Sequence, residues 1–284
     1  MTYNNKQRAL GRIAIIRAWF SPLTGLAPPR YAFQMDVSFQ SDRLGGGPDD
    51  PVRFKVGLKR CQLVVVLPRA QSGLAIDHRT VEAGHSPTTV TISQRIEASS
   101  EAGGSASLGV GPRGATGSLS LEAAAKRTRS VEASSEQFLP VLLGTRSLSV
   151  EGHQSWNVAR IDGIHILEGL LWDANRDAAR FELVDRRPVE VQEQEKRTGM
   201  HATVTVEVRC KREDLEVTEI GLTDPNQAQV MARLINRNKA MKVAEAFIKK
   251  KLQEEGLRVG NINEAYSDLV VSELVVSLVE NEDF

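Results

Sequence analysis

At 284 residues, with a formal net charge of +0, 41% hydrophobic and 25% charged residues, the chain has the make-up of one large or two ordinary globular domains. The zero balance argues against general nucleic-acid binding, and two cysteines are too few for a disulfide scaffold. The polar start, Met1 to Leu10, lacks the apolar run of a leader, and no stretch is long enough for a transmembrane helix, so synthesis in a reducing, cytoplasmic compartment is expected.

Aromatic residues make up only 5% of the chain, so the core is expected to rest on Val, Leu, Ile and Ala. The charges are unevenly placed. Residues 1–150 hold 18 Lys/Arg against 11 Asp/Glu, and residues 151–284 hold 18 against 25. After Arg258 every charged residue is acidic, from Glu264 to Asp283. This split suggests an acidic C-terminal end that covers a basic surface of the first half, in the same chain or a neighbour.

Arg12 to Phe20 reads as a strand ended by Ser21-Pro22. In Tyr31–Gln40 the residues Tyr31, Phe33, Met35, Val37 and Phe39 alternate with polar partners, the pattern of a half-buried strand. Gly45-Gly46-Gly47 lacks the strand, helix and Lys-Ser/Thr pair of a phosphate loop and reads as a turn. Arg53 to Leu67 is one long strand, or two broken at Gly57, and Leu74 to Ala83 is another. Further strands are expected at Leu148 to Val150, Ser155 to Arg160, Gly163 to Trp172 and Arg180 to Val184. Residues 189–200 are polar and read as a linker. Thr203 to Arg209 and Leu215 to Leu222 form the next strand pair.

The period then changes. Asp224-Pro225 is a helix start, and Val230, Met231, Leu234, Ile235, Met241, Ala244, Phe247, Ile248 and Leu252 trace a helical stripe closed by Gly256. This predicts a helix of roughly 30 residues, about 45 Å long. Leu269 to Glu280 is expected to be a strand closing a sheet.

No chemistry emerges from the motifs. His78, His85, His153, His165 and His201 have no metal-site spacing, and there is no nucleophile elbow or dinucleotide fingerprint. No catalytic residue, cofactor or metal is assigned. An enzyme with a site assembled from distant residues stands as the remote alternative.

The dominant feature is the stretch from Thr89 to Ala133. Val90, Ile92, Ile96, Ala98, Ala102, Ala106, Leu108 and Val110 share one parity, and serines, glycines and charged residues fill the other. After Gly111-Pro112-Arg113-Gly114 the alternation resumes with Ala115, Leu119, Leu121 and Ala123. We read one long amphipathic β-hairpin. Ala102, Ala106, Leu108, Val110, Arg113, Leu119 and Leu121 are the candidate assembly or membrane residues. Lys126, Arg127 and Arg129 are candidates for contact with headgroups or an acidic partner. Ala102 to Val110 and Ala115 to Leu121 carry no charge, and a tilted strand crosses a bilayer in roughly 9–11 residues. The stretch resembles the insertion hairpins of β-pore-forming proteins, whose stems are rich in Ser, Thr and Gly. That resemblance implies a ring of hairpins, one from each subunit, meeting membrane lipid on activation.

The expected fold is mainly β (α+β overall): an antiparallel β-sandwich-like body, a projecting hairpin at about 89–133, and a long C-terminal amphipathic helix. The expected domains are a body over 1–188 that includes the hairpin, a linker over 189–200, and a hairpin, helix and terminal strand over 201–284. The expected function is non-enzymatic self-association or partner binding through the hairpin, as a homo-oligomer, with the pore as its specific alternative.

Overall fold

A computed structural model describes residues 7–48, 50–67, 73–87, 89–97, 132–161, 166–172, 178–199, 201–222 and 237–278. The chain forms two compact units, one from residues 1–90 and 140–284, the other from residues 91–139. The protein is mainly β, with antiparallel sheets and few helices.

The larger unit contains a seven-stranded sheet. Its members are β1 (Gln7–Ala9), β6 (Arg60–Val66), β8 (Gly84–His85), β11 (Leu142–Leu148), β12 (Gln154–Arg160), β15 (Thr203–Lys211) and β17 (Asp268–Ser277). They lie in the order β1-β17-β15-β6-β12-β11-β8. A second sheet is built on β3 (Arg30–Phe39), which pairs with β2 (Ala14–Leu23) on one side. On its other side lie β13 (Gly169–Leu170) and β14 (Phe181–Asp185), and β14 carries β7 (Leu74–Asp77). A third sheet has the order β16 (Leu215–Leu222), β5 (Val52–Leu58), β4 (Asp42–Gly45).

Aromatic rings join the first two sheets. Trp156 of β12 lies 6.4 Å from Phe181 of β14, and Phe181 stacks on Phe33 of β3 at 4.6 Å. Phe20 and Trp172 complete the cluster, at 4.8 Å from Phe33 and 5.5 Å from Trp156. Five aromatic rings thus meet between these two sheets, where one large ring fills the space of several aliphatic groups. Val, Leu and Ile occupy the surrounding layers.

The third sheet is an extension of the first. β5 runs into β6 with a break at Lys59, and β15 runs into β16 through a 3₁₀ turn, Arg212–Asp214. The two bent strands pair along both arms, Val208 opposite Leu63 before the corner and Leu215 opposite Leu58 after it. The corner is sealed by the Lys59 amide donating to the Asp214 carbonyl at 2.7 Å and by Arg60 Nε donating to Asp214 Oδ1 at 2.8 Å. The expected break at Gly57 is therefore at Lys59 instead. Gly57 serves close packing, since a Cβ there would lie 2.8 Å from Ile166 Cγ2.

Helix α2 (Arg237–Glu254) lies on β5 and β16. Ala244, Phe247, Ile248 and Leu252 are buried, and the Phe247 ring meets Phe54 edge-on at 5.9 Å. That spacing puts all four on one helical face. The helix ends as expected at Gly256 (φ +71°), whose amide donates to the Gln253 carbonyl while the Leu257 amide donates to that of Leu252. Its expected start at Asp224-Pro225 lies outside the described residues.

Residues 189–200, expected as a linker, contain helix α1 (Val189–Thr198), none of whose residues is buried. Arg187 anchors it. The guanidinium grips the buried Asp185 carboxylate through Nε at 2.9 Å and Nη2 at 2.8 Å, and reaches Glu195 of α1 at 3.0 Å. β15 and β16, expected to pair with each other as a hairpin, instead pair with β6 and β5 as the two arms of one bent strand, and β15 and β17 lie inside the seven-stranded sheet. The terminal strand is β17, with β15 on one side and β1 on the other. β3, expected to be half-buried, is buried on both faces, with Gln34 and Asp36 covered as well.

The smaller unit contains β9 (Thr89–Glu97) and β10 (Glu132–Pro140), nine residues each, paired in a two-stranded sheet.

Candidate functional site

The expected hairpin is framed by this pair. Its first arm begins at Thr89 as read from the alternation, and the second arm runs on to Pro140, beyond the expected end at Ala133. Ala102, Ala106, Leu108, Val110, Arg113, Leu119, Leu121, Lys126, Arg127 and Arg129 all lie between 98 and 131, outside the described residues. What the structure brings together is the two strands that bracket them.

The chain leaves the larger unit and returns to it through one clamp. Gly84 stands opposite Gly144, and a Cβ on either would come within 3.1 Å of the other's Cα, a tight approach that glycine makes without strain. The Ser86 hydroxyl oxygen then accepts hydrogen bonds from the amides of Val141 (3.0 Å) and Leu142 (3.2 Å). The Ser86 amide donates to the Leu142 carbonyl at 2.9 Å. Ser86 is 4% exposed, so these bonds are made away from water and hold both crossing points at one place.

A second feature lies on the seven-stranded sheet, where an open groove of about 740 Å³ runs beside the corner. Glu207 of β15 accepts from Arg209 Nε at 2.6 Å and from Arg258 Nη2 at 2.7 Å, and Glu151 accepts from Arg209 Nη1 at 2.8 Å. The hydrogen bond from Arg209 holds the Glu151 carboxyl below its ordinary value, helped by the nearby charges of Arg209, Arg258 and His153. Burial works against the charge of Arg209, but its bonds to Glu151 and Glu207 outweigh it and raise the guanidinium. The network is internally neutralised. It suits a rigid surface better than proton transfer, which needs a group poised near neutrality. Cys61 and Cys210 also line this groove, and burial raises both thiols well above the usual range.

Asp36 of β3 is the third feature. One carboxylate oxygen is buried without a hydrogen-bond partner. Burial raises its pKa, against the attraction of Arg17 and Arg180. Arg180 donates Nε to the Met35 carbonyl at 2.8 Å and lies over the Trp172 ring at 5.2 Å. It thereby fills the gap that β13 and β14 leave along β3. Among the described residues no group of three or more His, Cys, Asp or Glu is placed to hold a metal ion.

None of these features was read from motifs. Glu207 and Arg258 are 51 residues apart, and Ser86 and Val141 are 55 apart. Only the parity of Cys61 and Cys210, each on the apolar side of its strand, left a trace in the sequence. Comparison with known protein families and with curated protein sequences gave no match.

Proposed function

We propose that this is a non-enzymatic association protein that binds further copies of itself through the hairpin bracketed by β9 and β10. The supporting observation is the pairing of these strands in a two-stranded sheet, as a compact unit distinct from the body. A two-stranded ribbon is marginal in water, and each strand carries one edge of backbone donors and acceptors that invites another strand. A neighbouring copy supplies a strand of the same chemistry, and the clamp at Ser86 fixes where the ribbon starts.

The membrane version follows from the charge-free arms Ala102–Val110 and Ala115–Leu121. Bare strand edges are excluded from hydrocarbon, and a closed ring of hairpins removes them. No helix among the described residues is long and apolar enough to cross a membrane.

Replacing residues 98–131 with a short Gly-rich turn tests the main reading. Light scattering should show oligomers of the full chain and monomers of the shortened one. A shortened chain that still assembles overturns the proposal. On anionic liposomes, Leu108→Asp and Leu119→Asp should abolish dye release if lipid faces those side chains. Leakage unchanged by both removes the membrane version alone.

A further inference from the structure

The chain contains two cysteines, and the fold sets them side by side. In the β6–β15 ladder Val208 stands opposite Leu63 and Arg209 opposite Gln62. Extending that register by one step sets Cys210 opposite Cys61, an alignment inferred from the last pair, Arg209 and Gln62. Leu63 and Val208 point into the core, and two residues on the parity repeats, so both thiols point to that same face. They are 6% and 4% exposed. The charge of Cys210 is the second influence on the Cys61 thiol, after burial, which agrees with direct adjacency.

Residues opposite each other on antiparallel strands have Cα atoms about 4.5 or 5.5 Å apart, depending on the pair type. A disulfide accepts Cα separations of about 4.4–6.8 Å. Either pair type therefore satisfies the bond without moving the backbone by more than a fraction of its width. Both cysteines are also among the residues that line the open groove beside the corner.

We propose that Cys61 and Cys210 are a redox-modification site, closed to a reversible cross-strand disulfide by hydrogen peroxide. One sulfur, as thiolate, attacks the peroxide oxygen and forms an S–O bond as the O–O bond breaks. The departing hydroxide takes up the thiol's proton and leaves as water. The second sulfur displaces the hydroxyl of the resulting sulfenic acid, forming the S–S bond, and its proton departs with that hydroxyl as a second water. The thiols lose two electrons and the peroxide gains them. The raised thiol pKa values make the first step slow at neutral pH. The facing thiol makes the second step fast, so the product is a disulfide and not a higher sulfur acid. The bond ties β6 to β15 next to the turn Arg212–Asp214 and closes a loop of about half the chain.

The full chain, reduced and freed of thiol, is exposed to hydrogen peroxide, unfolded, alkylated and weighed. The expected product has lost two hydrogens, accepts no alkyl group, yields a peptide pair joining Cys61 to Cys210, and regains both alkylation sites with dithiothreitol. Its formation should quicken about tenfold per pH unit below the thiol pKa. The oxidised chain should melt several degrees higher than the reduced one. The proposal is overturned by thiols that stay alkylatable after long exposure at about pH 9, by separate oxygen adducts on each sulfur, or by cross-links between chains only. It is equally overturned if the intramolecular bond forms only in denaturant. Cys61→Ser should leave Cys210 to stop at the sulfenic acid, trapped by dimedone.

Discussion

Two ribbons in this protein each pair strand with strand and differ in what lies beside them. In the bent ribbon of β5–β6 and β15–β16, β6 is flanked by β12 and β15 is flanked by β17. Beyond the corner, α2 covers β5 and β16. In the other ribbon β9 and β10 pair with each other in a sheet of two. The first is consumed by the core. Among the described residues the second has no further strand beside it, which is why association is proposed for it. Period-two alternation states that a segment has an apolar face; the neighbours decide what that face and its edges are for.

The sharpest way to break this comparison is at the core. Trp156 is fully buried against the rings of Trp172 and Phe181. Trp156→Ala should lower the body's unfolding free energy by about 3–5 kcal/mol in a denaturant titration. Assembly should fail only because the body has unfolded. If the body keeps its stability, the sandwich core is misassigned.

The clamp comes next. Ser86→Ala removes the acceptor shared by the Val141 and Leu142 amides and leaves buried donors short of partners. A loss of about 1–3 kcal/mol is expected. Amide hydrogen exchange should speed up at Val141 and Leu142 well before it does along β6 and β12. Uniform acceleration across the body would show that Ser86 is a general core residue and not a local clamp.

The smallest expected effect concerns pH. The pKa of Asp36 is raised in the folded state by burial. A carboxyl with a raised folded pKa contributes stability that is fully present below its unfolded pKa and is lost as pH rises through the folded value. Asp36→Asn should therefore remove a decline in stability on the acidic side of neutrality and leave a more stable body at pH 7. Parallel urea titrations from acid to neutral pH check this. Matching pH profiles for the two proteins would show that Arg17 and Arg180 fully compensate the charge.

Much of the fold was readable where a face is exposed to the core. Tyr31, Phe33, Met35, Val37 and Phe39 announced β3, and Ala244, Phe247, Ile248 and Leu252 announced α2. Helix α1 gave no such sign, because a helix with nothing buried has no apolar stripe, and its anchor Arg187 lies outside it. The corner at Lys59 was hidden for another reason. Gly57 carries the local breaker signal, while the actual break answers a turn on the partner strand, at Arg212–Asp214. The ion-pair groove had no local signature, since its acid and bases come from β15, the Glu151 turn and the segment before β17.

Alternation and helical spacing settle which segments become strands or helices and which side of each is apolar, since those are properties of neighbouring residues along the chain. Strand order, the corner, the Ser86 clamp and the meeting of Cys61 with Cys210 are properties of long-range pairing. Backbone amides and carbonyls are alike in every strand, so the letters of one strand do not name its partner. Packing of whole faces against each other makes that choice.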